Sequence, residues 1–181
     1  MVFLEGNRCY LRTLEEADVS AFTRLVKRNK RYWSIYEPLH DDEYYTESTQ
    51  RKKIIESVQR MRLNREYSFA IFAMGTSDLV GHISIYSIKR LPFSSAFVGY
   101  SIDKRYIGQG IASEALALIV KFSFEDLSMH RIEAYVSPNN MGSVRVLEKS
   151  GFEREGLLRK LLYINGYWED HYLYAFINDD Y

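Results

Sequence analysis

A single cysteine, Cys9, leaves the chain without an intramolecular disulfide and without the paired thiols of a zinc or redox motif. Scarce cysteine, together with the lack of a charged, apolar and small-residue leader, points to a reducing, cytoplasmic setting. No apolar run approaches the roughly 18 to 20 residues that span a bilayer, so the expectation is a soluble protein with no membrane partner. Excess charge is missing too: 24 Lys+Arg stand against 24 Asp+Glu. That balance removes the overall field that draws a protein to nucleic acid, and no direct nucleic-acid partner is expected. The histidines at 40, 82, 130 and 171 show no HxxxH spacing, so no metal motif is present and each reads as structural or exposed. The 3 prolines and 10 glycines fall mostly at turns, and no low-complexity linker or repeat divides the chain. With 181 residues, 46% of them hydrophobic, one sizeable core and a single domain over residues 1–181 are expected.

What is present is a change of period along the chain. Arg8 to Leu14 alternates as a strand, with Cys9, Leu11 and Thr13 on one face. Thr13-Leu14-Glu15-Glu16 has the capping-box pattern and predicts a helix running to about Asn29, with Ala21, Phe22, Leu25 and Val26 as its core stripe. Thr46 to about Leu63 is a second helix, with Ile54, Ile55, Val58 and Met61 on one face. Tyr67 to Met74, Leu79 to Ile88 and Ala96 to Ile102 are rich in β-branched and aromatic residues; turns at Gly75-Thr76-Ser77-Asp78 and Pro92-Phe93-Ser94 make them an antiparallel meander. A helix over Ile111 to Glu125, a strand over Arg131 to Val136 and a short helix over Asn140 to Lys149, capped by Asn140 and stopped by Gly151, come next. Two final strands, Glu153 to Ile164 and Tyr167 to Ile177, are joined by Asn165-Gly166. The order β-α-α-β-β-β-α-β-α-β-β gives an α/β (α+β) sheet of mixed direction, with about seven strands and about four helices.

The segment that carries chemistry is the strand, basic turn and helix from Val98 to Ala112, with Arg105-Tyr106-Ile107-Gly108-Gln109-Gly110 as the turn. Glycines at 108 and 110 let the backbone approach an anion, and the first amides of the helix at Ile111 and Ala112 point at it with the positive end of the dipole. Lys104 and Arg105 add charge. The same spacing also serves a plain strand-to-helix turn, and both readings stand on spacing alone. It is neither a P-loop, lacking Gly-Lys-Ser/Thr, nor a Rossmann fingerprint, lacking the third glycine.

The run Arg105-x-x-Gly108-x-Gly110 resembles the pyrophosphate-binding signature of the GNAT acetyltransferase superfamily. Asn140-x-x-Ser143 leading into Leu147-Glu148-Lys149-Ser150-Gly151-Phe152 resembles that superfamily's later helix. Glu155 to Arg159, Ile164 to Asp170, Tyr36-Glu37-Pro38 and Gly99 to Ile102 are similar to the RimJ/RimL branch, the ribosomal-protein-alanine N-acetyltransferases, and closest to its RimJ side. The resemblance covers nearly the whole chain. It implies a GNAT fold, a mostly antiparallel twisted sheet splayed between its fourth and fifth strands, Ala96 to Ile102 and Arg131 to Val136. Acetyl-coenzyme A would be the cosubstrate, with the backbone of Tyr100, Ser101 and Ile102 pairing with it like an added strand. Arg105, Gly108, Gln109, Gly110, Ile111 and Ala112 would hold its phosphates, and Asn140 and Ser143 would reach it from the later helix. The capping role of Asn140 is an equal reading of that residue. No metal is implied.

Direct acetyl transfer needs a neutral amine, a polarised carbonyl and support for the leaving thiolate. Many members place a tyrosine acid where this chain has Leu147, so Ser143 is the substitute. The glutamate that some relatives carry before Gly-Tyr is Phe97 here. Glu37 is the candidate for orienting the incoming ammonium, with Glu133 as another carboxylate distant in sequence. Deprotonation at pH 7 costs about 1 kcal/mol for an α-amine and about 5 kcal/mol for a lysine, so a weakly basic site suits an N-terminal amine. The expected partner is therefore the N-terminal peptide of a ribosomal protein. Small amines such as polyamines, amino acids or antibiotics, and a non-catalytic CoA-binding module or nucleic-acid accessory protein, are the alternatives. Tyr32, Trp33 and Tyr36 either wall the acceptor cleft or pack as a simple aromatic cluster. Asp170 and His171 open the last strand, the basic group from Arg51 to Arg65 reads as a solvated helix face, and the aromatic surface permits a homodimer.

Overall fold

The computed structural model describes residues 1–76 and 78–180; Ser77 of the expected turn and the terminal Tyr181 lie outside the described residues. One sheet of eight strands runs through the molecule. In chain order the strands are β1 (Phe3–Glu5), β2 (Cys9–Thr13), β3 (Tyr67–Ala73), β4 (Leu79–Lys89), β5 (Ser95–Ile102), β6 (Arg131–Val136), β7 (Glu153–Ile164) and β8 (Tyr167–Ile177). The helices are α1 (Val19–Trp33), α2 (Glu47–Arg62), α3 (Ile111–Glu125) and α4 (Met141–Lys149). Neighbouring strands pair antiparallel except β5 and β6, and β8 lies between β6 and β7.

The sheet is covered on both faces. Along β3, Tyr67, Phe69, Ile71 and Ala73 join the core that contains Ala115, Leu116 and Ile119 of α3 and Val144 and Leu147 of α4. The alternate residues Ala70 and Phe72 join the core built with Phe22, Leu25 and Val26 of α1 and Ile54 of α2. Burial on both sides explains why β3 reads as a nearly continuous apolar run rather than an alternating one. Asn140 caps α4 through its side chain, which accepts from the Ser143 amide at 3.1 Å, and Gly151 follows the helix at φ 88°. Left-handed backbone at that place is what ends a helix most cheaply in glycine.

Four expectations change. An eighth strand, β1, pairs Phe3 to Glu5 with Tyr10 to Arg12, too short a run to show a period of its own. Thr13 does not cap the first helix: it ends β2, and its hydroxyl accepts from the Val2 amide at 3.2 Å. The capping box forms instead between Glu15 and Asp18, opening a short 3-10 turn over Glu16–Asp18 that leads into α1. Arg12 holds Asp18 by two hydrogen bonds at 2.7 and 2.6 Å, which fixes that turn against the sheet. Helix α1 then runs four residues beyond Asn29, because Asn29 is buried and its side chain bonds Leu25 O and the Lys104 amide rather than ending the helix. In α2 the buried face is Gln50 and Ile54, with Val58 and Met61 half-buried, while Ile55 is exposed. Gln50 enters the core because its side-chain amide is used by the Tyr44 carbonyl.

A Cβ at Gly151 would lie 2.7 Å from Cε2 of Phe176, in addition to the strain of its φ. Gly151→Ala is expected to cost about 1 to 3 kcal/mol. Thermal denaturation should show the melting temperature falling by roughly 2 to 4 °C per kcal/mol for a chain of this size.

Candidate functional site

The parallel pair is short. β5 and β6 are in register only at Ser95 with Arg131, Ala96 with Ile132 and Phe97 with Glu133. Beyond Phe97 they part, and β5 from Val98 to Ile102 keeps β4 as its partner on the other side. The expected splay between the fourth and fifth predicted strands is thus the gap between β5 and β6. Two clefts open there, of about 460 and 350 Å³.

The larger cleft is floored by the start of α3. A 3-10 turn over Lys104–Tyr106 follows β5, then Gly108 and Gly110 take φ of 76° and 79°. Gly110 is the residue before the helix, and no side chain caps it. A Cβ at Gly108 would meet nothing within 4 Å, so the backbone there faces open space. Asp103, only 1% exposed, fixes the loop: its carboxylate takes hydrogen bonds from the Arg105 amide and guanidinium and from Arg28. Burial pushes the Asp103 carboxyl up, but the bonds from Arg105 and Arg28 outweigh it and hold it below the usual range. Gln109 closes the loop on itself, its side chain donating to Arg105 O at 3.2 Å.

Most of the sequence-predicted residues meet at this cleft. Tyr32, Trp33, Tyr36 and Glu37 line it from α1 and the segment after it, Tyr100, Ser101 and Ile102 from β5, and Gly108, Gly110, Ile111, Ala112, Asn140 and Ser143 from the two helix starts. Arg105 and Gln109 do not line it; the arginine is turned onto Asp103. Trp33 donates from Nε1 to Ile102 O at 3.0 Å, so it is both a wall and a tie to the end of β5. Sequence reading missed Arg145 and Lys149, which line the same cleft together with Gly142 and Val146. Their i, i+3, i+4, i+7 spacing is the signal that one face of α4 looks into the cleft.

The smaller cleft lies against β4, β5 and β6, and shares Tyr36, Glu37, Tyr100, Ser101, Asn140 and Ser143 with the larger. Glu37 accepts a short hydrogen bond from Ser101 Oγ, across 64 residues of chain. Its half-buried carboxyl is pushed up by burial, and the Ser101 bond and Lys53 pull it partly back. His82 stands opposite Ser101 in the β4–β5 register, edge-on to Phe22 and Trp33. Burial first, and Lys53 second, lower its imidazole to about 4, so it is neutral at pH 7. Tyr86, Tyr135, Leu162 and buried His171 complete the wall. Tyr86, Tyr135 and Leu162 escaped the sequence, and His82 and His171 read there only as structural or exposed, because strand register, not spacing along the chain, brings them together. Asp170 is used by the Lys160 amide at 2.7 Å. Glu133 is paired with Arg131, which also holds Glu155.

The polar groups at the seam are connected. Tyr100 and Ser143 hydroxyls lie 2.8 Å apart. The Tyr36 hydroxyl donates to Asn139 O at 3.3 Å, and Asn165 in the β7–β8 turn bonds both Ser34 O and the Leu39 amide, clasping the segment after α1. On α2, Arg51 and Arg60 are exposed and paired with Glu16 and Glu66, as a solvated face requires, while Lys53 lies over the Tyr44 ring at 4.5 Å. Among the described residues no group of His, Cys, Asp and Glu is arranged to hold a metal ion, and no helix is long and apolar enough to cross a membrane.

Comparison with known proteins agrees with this geometry. The profile of the acetyltransferase (GNAT) domain matches residues 8–153. A probable N-acetyltransferase of Bacillus subtilis, YjcK, is 42% identical over 177 residues, 98% of each chain. The crystal structure of a ribosomal-protein-S5-alanine acetyltransferase from Vibrio fischeri superposes with a TM-score of 0.94 at 32% identity, covering 99% of this chain and 98% of that one. RimJ of Mycobacterium smegmatis, in complex with CoA-disulfide, gives 0.90 at 30% identity over 95% of this chain and 83% of that one.

Burial raises the Glu37 carboxyl above its ordinary value, so ionising it costs more in the folded chain than in the unfolded one. The native state binds the proton more tightly than the unfolded chain, so stability from this group is present below the unfolded value of about 4.3 and is lost as pH rises through the folded one. Glu37→Gln, which keeps an oxygen for Ser101, is expected to melt above the parent at pH 7 to 8. Melting curves across pH should show that advantage shrinking toward pH 4.

Proposed function

We propose, from the premise that this chain belongs to the GNAT acetyltransferase family and is an N-acetyltransferase, that it moves an acetyl group from acetyl-coenzyme A to the N-terminal alanine of a ribosomal protein. The observation that carries this reading is the meeting of two clefts at Glu37, Tyr100, Ser101, Asn140 and Ser143. One cleft then holds a donor and the other an acceptor, with transfer at their common wall.

The larger cleft fits acetyl-coenzyme A on features of this chain. The uncapped α3 amides after Gly110, with open space beside Gly108, suit a pyrophosphate. The edge of β5 from Val98 to Ser101, which pairs with no strand on the β6 side, suits the amides of a pantetheine arm, while Trp33 takes the Ile102 carbonyl at its end. Arg145 and Lys149 supply cationic partners for a further phosphate. When bound, acetyl-coenzyme A supplies an activated thioester.

The chain's own residues do the rest. Glu37 faces the seam with its carboxylate, which attracts an ammonium and takes its proton as the amine becomes nucleophilic; a raised carboxyl pKa makes it a better base than an exposed glutamate. His82 and Ser101 stand beside it as neutral polar groups, which do not repel a cation. Ser143 lines both clefts and offers a hydroxyl for the sulfur that leaves, a role that Leu147, 1% exposed and apolar, has no group to fill. The aromatic wall of Tyr86 and Tyr135 accommodates the first residues of a peptide chain. The relatives at full length support the same class: the superposed Vibrio fischeri protein is a ribosomal-protein-S5-alanine acetyltransferase.

With an alanine-terminated ribosomal peptide and acetyl-coenzyme A, mass spectrometry is expected to find one acetyl group on the α-amine. Ser143→Ala should lower kcat by about 10- to 100-fold with little change in the KM for acetyl-coenzyme A, and Glu37→Gln by about 100-fold. Acetylation of polyamines or aminoglycosides in preference to the peptide would replace the acceptor class. Full activity in both variants would remove the assigned roles.

A further inference from the structure

We infer that Tyr100 is a positioning residue for Ser143, its phenol donating to Ser143 Oγ so that the serine's own proton is turned toward the seam between the two clefts. The inference rests on the reading above, in which Ser143 steadies the departing sulfur. The hydroxyls lie 2.8 Å apart, where either can donate, and the Ser143 carbonyl, 3.4 Å from the phenol, is the second acceptor in reach; the shorter distance and the greater acidity of the phenol favour its donation to Oγ. Ser143 then accepts with one lone pair and keeps its proton for another partner. Its own amide is already occupied by Asn140 Oδ1, which holds the backbone of that first helical turn.

The two residues come from opposite walls. Tyr100 projects from β5, Ser143 from α4, and 43 residues separate them. Without the bond the Ser143 hydroxyl is a free rotor with three staggered choices, and a share of its conformers points away from the seam. With the bond, one orientation is selected, and accepting a hydrogen bond makes the serine a stronger donor in turn. The tyrosine hydroxyl is pushed up to about 12 by burial, partly offset by the Ser143 bond, so it stays protonated through the working range. No proton leaves either hydroxyl: Glu37 takes the first proton of the ammonium and releases it to solvent, the nitrogen's second proton leaves by the same carboxylate once the carbon–nitrogen bond forms, and the electron pair of the breaking carbon–sulfur bond stays on sulfur.

Tyr100→Phe removes only the hydroxyl. The expected result is a fall in kcat of about tenfold, the worth of one hydrogen bond to a charge, with the KM for acetyl-coenzyme A little changed. The decisive comparison is the double variant Tyr100→Phe/Ser143→Ala, expected to be no slower than Ser143→Ala alone, since the tyrosine acts only through the serine. A second readout needs no turnover. Calorimetry with coenzyme A and its desulfo analogue at pH 7 and pH 9 should show coenzyme A gaining affinity as its thiol ionises, in the parent but not in Tyr100→Phe. Tyr36, Glu37, His82, Arg145, Lys149 and His171 face the same clefts and act on both ligands alike, so the difference isolates the sulfur. Multiplicative losses in the double variant, or an unchanged kcat and unchanged thiol preference in Tyr100→Phe, would overturn the inference while leaving a Ser143→Ala defect intact. A Ser143→Ala enzyme as fast as the parent would sink the reading beneath it as well.

Discussion

The parting of β5 and β6 after Phe97 and Glu133 is the constraint on which the rest of the structure depends. A sheet normally satisfies each strand edge with its neighbour, and an open edge inside a protein has to be filled by something else. Here the two strands diverge around a gap that α3 and α4 approach with their starting ends. Both kinds of unsatisfied backbone, strand edge and helix start, therefore face one space. Backbone donors and acceptors of both kinds in one cleft suit an extended, anionic ligand.

Around that gap the protein spends its buried polar groups on holding shape. Asp103 is gripped by Arg28 and Arg105, Asn29 reaches the Lys104 amide, and Trp33 ties to Ile102 O. Each bond fixes the turn between β5 and α3, within which the glycines at 108 and 110 hold left-handed backbone. The charge of Arg105 is consumed in that task. The cations that look into the cleft are Arg145 and Lys149, on a different helix.

Much of the fold was legible because local signals were strong: α3, β6, β7 and β8 begin and end where periodicity and turn residues place them. The glycine loop was legible as a candidate anion site for the same reason. What stayed hidden depended on register and on competition between partners. Thr13 has the right spacing for a helix cap, but Val2 claims its hydroxyl; Asn29 resembles a helix end, but Lys104 and Leu25 use its side chain. His82 joins the second cleft only because β4 pairs with β5 in the register that sets it opposite Ser101. Likewise the Tyr100 hydroxyl meets Ser143 across the gap, a relation no spacing along the chain encodes.

The clasp made by Asn165 joins residues 126 and 131 positions earlier, and Tyr36 reaches 103 positions ahead to Asn139. Contacts to Asn165 cannot form until nearly all of the polypeptide is present, and separations this large carry a high loop-closure cost. Competence thus arrives late and at once: a growing chain that has already built its first helices and meander still lacks a roofed cavity, and gains one only when the final hairpin settles.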